Sequence, residues 1–130
     1  MLLSSGDKIL FQPKGKSGSP DYLLIDEIQP LIIDAKYRPT YQQDGLIGYI
    51  IDDIRQISGY ARDVGILDKL GYHTIEEQTS SVVSCVVIYT DQNMQNALPD
   101  SLTTGTSIKE FTKFYKVPIA VPILKKQTNV

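Results

Sequence analysis

Asp34-Ala35-Lys36 closes the apolar run Leu31-Ile32-Ile33, and Pro20-Asp21 opens the run Tyr22-Leu23-Leu24-Ile25 that precedes it. Two carboxylates and an ammonium at the ends of neighbouring strands are the groups that can hold a divalent cation against a phosphodiester. Side chains two apart in a strand share a face, so Asp34 and Lys36 point one way and Ala35 the other. If the two runs pair, Asp21 approaches Asp34 with room for a cation between them. Magnesium accepts such a site: one or two carboxylates, several waters and the substrate's own phosphate oxygens. An acid-x-Lys triplet alone is common by chance. Its place at a strand end, and the Pro-Asp opening the strand before it, single this one out. The competing reading is a hairpin whose acids and lysine are solvated strand ends.

Gln56 and Tyr60 stand four apart and project from one face if they lie on a helix. A glutamine amide or a tyrosine hydroxyl there can orient a water or contact a phosphate; the alternative is a solvated Gln56 and a core Tyr60 with its hydroxyl at the rim. Tyr37, Arg38 and Tyr41 follow the Asp-x-Lys strand and could stack on bases or meet a phosphate, although loop tyrosines more often cover a core edge. Lys14 and Lys16 flank a glycine near Asp21 and could grip backbone phosphate, or be ordinary solvated lysines. Asp52 and Asp53 sit where carboxylates favour a helix start. His73 has no evident acid–base or metal partner nearby and reads as a surface residue. Glu76-Glu77 reads as surface charge, and Cys85 as core packing rather than a nucleophile. No phosphate-cradling glycine loop, zinc spacing or Gly-x-Ser-x-Gly elbow occurs.

The elements that must position these groups follow from periodicity. Residues 8–12 read as a short strand, then a loop of turn formers and lysines runs to Pro20. Residues 22–27 and 31–37 read as two strands joined by a tight turn at Ile28-Gln29-Pro30. Residues 38–48 read as a loop with Pro39 and Gly45. From 50 to 66, Ile50, Ile54, Ile57 and Ala61 recur at steps of three and four, an amphipathic helix despite Gly59, which is expected to mark close packing on a neighbouring backbone. Residues 67–81 read as a polar connection with at most a short helix around 67–70. Residues 82–89 are continuously β-branched, as in a strand buried on both faces. Residues 90–109 read as an exposed excursion, and 115–124 as a last strand that Pro118 and Pro122 make an edge or irregular one. The expectation is one α/β domain over residues 1–130, with a mixed sheet crossed by a helix.

Composition bounds the rest. A chain of 130 residues, 42% hydrophobic, supports a single core. No apolar run approaches the roughly 18 residues of a membrane span, and no signal-peptide layout opens the chain. One cysteine excludes a disulfide framework and favours a cytoplasmic setting. Net charge is -2, unhelpful for nucleic acid. Locally, Lys8, Lys14 and Lys16 face only Asp7 in residues 1–20. Lys109, Lys113, Lys116, Lys125 and Lys126 face only Glu110 in residues 101–130. A phosphate backbone needs a local basic face rather than a basic average.

Pro20-Asp21, Asp34-Ala35-Lys36-Tyr37 and Asp53-Ile54-Arg55-Gln56-Ile57-Ser58-Gly59-Tyr60-Ala61 resemble the PD-(D/E)xK nuclease superfamily, and more narrowly the nuclease domain of McrC-type subunits of modification-dependent restriction systems. The resemblance covers residues 20–62, with a looser match at 114–122. It implies a restriction-endonuclease-like core and a Mg2+-dependent endodeoxyribonuclease, with Mn2+ as the substitute ion. Asp21, Asp34 and the backbone carbonyl of Ala35 would be metal ligands, with Lys36, Gln56 and Tyr60 completing the catalytic set. The implied partners are DNA, an NTP-dependent translocating subunit of the McrB type and a second copy of the chain, with no membrane. The superfamily core opens with a helix for which only residues 1–7 are available here, so this helix is expected to be absent and the chain a C-terminal piece of a longer protein. Alternatives are a repair or recombination nuclease on branched or single-stranded DNA, and a catalytically silent domain of the same fold used for assembly.

Overall fold

A computed structural model describes residues 8–26, 28–43, 48–91 and 106–120. Among these residues six strands form one mixed sheet: β1 Lys8–Phe11, β2 Tyr22–Ile25, β3 Leu31–Ala35, β4 Ser84–Asp91, β5 Thr106–Ser107 and β6 Phe114–Ala120, in the order β1-β2-β3-β4-β6-β5. β1, β2 and β3 are an antiparallel meander, β4 runs parallel to β3, and β6 parallel to β4. Between β3 and β4 the chain makes a 3-10 turn, Pro39–Gln42, and three helices: α1 Ile51–Tyr60, α2 Val64–Lys69 and α3 Ile75–Thr79. A parallel neighbour demands such a crossover, because two parallel strands cannot be joined by a tight turn.

The alternation of side chains divides the sheet into two apolar faces. Leu23, Ile32, Cys85 and Val87 pack with Ile54, Ile57 and Tyr60 of α1 and Ile66 and Leu67 of α2. Leu24, Leu31, Ile33, Val86 and Val117 lie on the other face. β4 is apolar on both sides, as its unbroken β-branched run requires, and Val86 and Val87 are both fully buried.

Several expectations are corrected. The helical stretch 50–66 is two helices. α1 ends at Tyr60, where the amides of Ala61 and Arg62 turn back to the carbonyls of Ser58 and Gly59. Asp63 then caps α2 by accepting from the N–H groups of Gly65 (2.8 Å) and Ile66 (3.3 Å), the role for which aspartate is favoured. The stretch 67–81 carries structure of its own. α2 closes in a Schellman motif, with Gly71 at φ 103°, its N–H on the Asp68 carbonyl and that of Tyr72 on Leu67. α3 opens with a capping box between Thr74 and Glu77. Finally, β6 is not an edge along its whole length: β5 pairs with it at Lys116 and Tyr115, while from Val117 to Ala120 its only partner among the described residues is β4. Pro118 is tolerated because the alternation that bonds Cys85 N–H to the Lys113 carbonyl turns the Pro118 nitrogen away from β4, past the two residues of β5.

Gly59 does not pack closely on a neighbouring backbone either; a Cβ added there would meet nothing within 4 Å. Glu27, residues 44–47 and residues 121–124, assigned from sequence to strand ends and a loop, lie outside the described residues, as do residues 1–7, where the superfamily's first helix would begin.

Candidate active site

β2 and β3 pair with Leu24 opposite Leu31 and Tyr22 opposite Ile33. One step further along that register Asp21 stands opposite Asp34, and after it Pro20 opposite Ala35. Leu23 and Ile32, two residues back on each strand, are in the helix-side core; Asp21 and Asp34 therefore share the face that looks toward α1. The two carboxylates are cross-strapped. The Asp21 N–H donates to Asp34 Oδ1 at 2.9 Å, and the Ala35 N–H donates to Asp21 Oδ2 at 2.8 Å. Asp34 Oδ2 pairs with Lys36 Nζ at 3.1 Å. Pro20 has no N–H, so the β2–β3 ladder offers the Ala35 carbonyl no donor.

α1 brings the remaining groups. Gln56 Oε1 accepts from Lys36 Nζ at 3.1 Å, which fixes the ammonium between Asp34 and the helix. One turn on, the Tyr60 hydroxyl donates to the Ser19 carbonyl at 3.4 Å and holds the residue that precedes Pro20-Asp21. Burial raises the Tyr60 pKa and the charge of Asp34 raises it further, so at neutral pH the hydroxyl keeps its proton and remains a donor. The Asp34 side chain is 8% exposed. Its pKa is raised first by that burial, with the negative charge of Asp21 adding to the rise while the Asp21 N–H and Lys36 oppose it. Two carboxylates held together, one of them desolvated, gain from any cation placed between them.

The five residues singled out from sequence, Asp21, Asp34, Lys36, Gln56 and Tyr60, are thus joined through direct hydrogen bonds or through Ser19. Among the described residues, no group of three or more His, Cys, Asp or Glu side chains is placed to hold a metal ion. Two carboxylates, with the Ala35 carbonyl that the resemblance adds, would be an all-oxygen set with the small protein share that suits magnesium. On that donor chemistry the residues fit a hard divalent cation.

Neighbouring candidates fall out differently. Tyr41 is fully buried and its hydroxyl donates to Asp53 Oδ2 at 3.1 Å, so it cannot stack on a base. Arg38 Nε pairs with the same oxygen at 3.1 Å, which makes Asp53 a buried counter-ion as well as a first-turn acid of α1. Tyr37 remains exposed. Lys116, placed from sequence on a basic face, is buried instead. Its ammonium donates to the carbonyls of Tyr41 (2.9 Å), Gln43 and Gly48 (3.1 Å). His73 has the partner its sequence neighbourhood did not suggest, Asp68 Oδ1 at 2.7 Å from Nδ1, and this pair is exposed. Glu77 is engaged in the cap of α3 rather than being plain surface charge. The Cys85 thiol is pushed up to about 12 by burial, which keeps it protonated and inert.

Sequence reasoning missed Asp63. Besides capping α2 it accepts from Lys16 N–H (2.9 Å), Ser17 N–H (2.6 Å) and Ser17 Oγ (2.7 Å). Burial opposes its ionisation, but these bonds outweigh it and hold the carboxyl well below its ordinary range. The loop carrying Pro20-Asp21 is thereby pinned at Lys16-Ser17 by Asp63 and at Ser19 by Tyr60. Gly15 is required at the first clamp, since a Cβ there would lie 2.7 Å from Asp63 Oδ2 and from Ile66. Asp63 following the helical stretch and preceding Val64-Gly65-Ile66 is the N-cap pattern that could have revealed it. Its hold on the loop has no local signal.

No family model, curated protein or solved structure matches the chain.

Proposed function

We propose that the chain is a metal-dependent nuclease domain that hydrolyses DNA phosphodiester bonds at Asp21, Asp34 and Lys36. The observation that carries the reading is convergence. Residues from β2, β3 and α1 with the donor types of phosphodiester chemistry meet at one sheet end, hydrogen-bonded in a single chain from Ala35 to Gln56. The resemblance in Pro20-Asp21 and Asp34-Ala35-Lys36 supports a restriction-endonuclease-like core. The order of a meander, a helical crossover and a parallel strand is compatible with it.

In this reading Asp21, Asp34 and the Ala35 carbonyl hold a Mg2+ or Mn2+ ion. When bound, the ion supplies polarisation of the phosphoryl group and acidification of water. Lys36 places a positive charge where negative charge develops on the phosphate, and Gln56 and Asp34 fix its position beforehand, so little reorganisation is needed at the moment of reaction. Tyr60 acts through Ser19 and is a positioning residue for Asp21. The McrC-type assignment, with DNA delivered by an NTP-dependent translocating subunit, rests on the motif resemblance alone.

A second reading takes its support from the same hydrogen bonds. Each carboxylate already commits one oxygen to a backbone amide of the opposite strand, and a catalytically silent domain used for assembly could keep the pair as a strand lock. Incubation with supercoiled plasmid separates the two. A nuclease nicks it with Mg2+ or Mn2+ and not in EDTA, and Asp34→Asn and Lys36→Ala each lower the rate by about 100-fold or more, as losses of charge-stabilising groups do. Crystals soaked in Mn2+ give the independent readout, an anomalous peak between Asp21 and Asp34. Full nicking by both variants, or no nicking and no peak, sinks the nuclease reading.

A further inference from the structure

The lysines of the loop before Asp21 do not stand alone. Lys14 and Lys16 line one wall of an open groove of ≈ 590 Å³, and Lys69 of α2 lines the other. All three are exposed. Among the described residues none of them makes an ion pair. Among the described residues Asp68 is the one carboxylate lining the groove, and His73 Nδ1 engages it at 2.7 Å. Asp63, underneath, has its charge spread over five hydrogen bonds from Lys16, Ser17, Gly65 and Ile66. The groove therefore presents a positive surface on a chain whose net charge is -2. That surface is also rigidly placed. The clamps at Asp63 and Tyr60 fix the backbone that bears Lys14 and Lys16 relative to Asp21, so a phosphate held on these lysines keeps a set distance from the carboxylate pair.

We infer that this groove binds the phosphate backbone of DNA, with Lys14, Lys16 and Lys69 each facing a phosphate, and so guides a strand to the Asp21–Asp34 pair; the inference rests on the nuclease reading above. The lysines meet backbone and not bases. They set position and affinity without sequence preference.

Anisotropy of a labelled DNA duplex, measured on the full chain in EDTA over a range of salt, tests it. In the wild type, log Kd rises steeply with log salt. In Lys14→Ala/Lys16→Ala/Lys69→Ala the slope falls by about 0.9 for each phosphate left without its lysine, about 2.7 in all. The triple arginine variant keeps the wild-type slope. Matching melting temperatures establish that the alanine variant is folded. An unchanged slope in that variant, or no measurable duplex binding, overturns the inference, as does binding of RNA that alone depends on the three lysines. Plasmid nicking keeps the two readings apart. A changed slope with no nicking under any divalent cation removes the nuclease and leaves a DNA-binding groove. Nicking with an unchanged slope removes the groove and leaves the nuclease.

Discussion

Asp34 carries the main tension at the residue scale. Its carboxylate is desolvated, faces Asp21 across the strand pair and is balanced by a single ammonium. Its folded pKa lies above the ordinary 3.8. The native state thus holds a proton that the unfolded chain has released, and stability falls as pH rises through the window between those two values. Asp34→Asn cannot ionise and escapes that loss. In metal-free buffer the variant is expected to melt above the wild type near neutral pH, with the gap closing as pH falls below the ordinary aspartate value. Added Mn2+ should raise the wild-type melting temperature and leave the variant unmoved. Melts from about pH 3 to about pH 8 read both effects. A gap that does not change with pH would mean that Lys36 already neutralises the pair. Lys36 has two partners for this purpose, Asp34 and Gln56, and both tie it to the face where Asp21 lies.

Among the elements, α1 positions the site and also carries an avoidable weakness. Gly59 lies in its last turn with a helical conformation and open space where a side chain would go. Alanine there removes backbone freedom from the unfolded chain and adds helix propensity, so Gly59→Ala is expected to stabilise the fold by about 1 kcal/mol. That corresponds to about 4 °C in melting temperature for a domain of this size. A loss of stability would reveal a neighbour that the open space does not suggest. The same helix marks where the sequence was legible. Ile54 and Ile57 fall on the buried face their spacing implies, and Gln56 and Tyr60 share the face that meets β2 and β3. The strands bearing Asp21 and Asp34 were legible too, because each is a short apolar run bounded by turn residues. The break at 61–63 was not, since Ile66 continues the apolar spacing and masks a cap that only Asp63 and Gly65 announce. The polar composition of α3 hides it, although Thr74-Ile75-Glu76-Glu77 is a capping box in plain sequence. β5 has two residues and no pattern to read.

For the molecule as a whole, the connection from β3 to α1 decides whether the carboxylates and the helix meet, and a buried cation from β6 helps to anchor it. Lys116 lies on β6, two strands away from β3, yet its ammonium gathers the carbonyls of Tyr41, Gln43 and Gly48, all three within that connection, and stands 5.8 Å from the Tyr89 ring. Sequence offered no hint of this, because a lysine in a strand otherwise reads as a solvated face. Three carbonyl dipoles replace part of the hydration that a charge so far from water gives up. The arrangement links the parallel half of the sheet to the helix bearing Gln56 and Tyr60. Lys116→Met keeps the apolar stem and removes the ammonium, leaving those carbonyls to find other donors. The expected cost is about 3 kcal/mol in chemical denaturation. Hydrogen exchange should localise it. The amides of Tyr41 and Gln43, bonded to the carbonyls of Arg38 and Thr40, are expected to exchange faster in the variant, while those of β4 keep their protection relative to global unfolding. Unchanged exchange at Tyr41 and Gln43 would show that the buried Asp53, through Arg38 and the Tyr41 hydroxyl, holds the connection by itself. With the amides of residues 41 and 43 loosened, α1 loses a fixed start, and any nicking by the domain should fall along with protection at those two positions, because Gln56 then holds Lys36 less firmly.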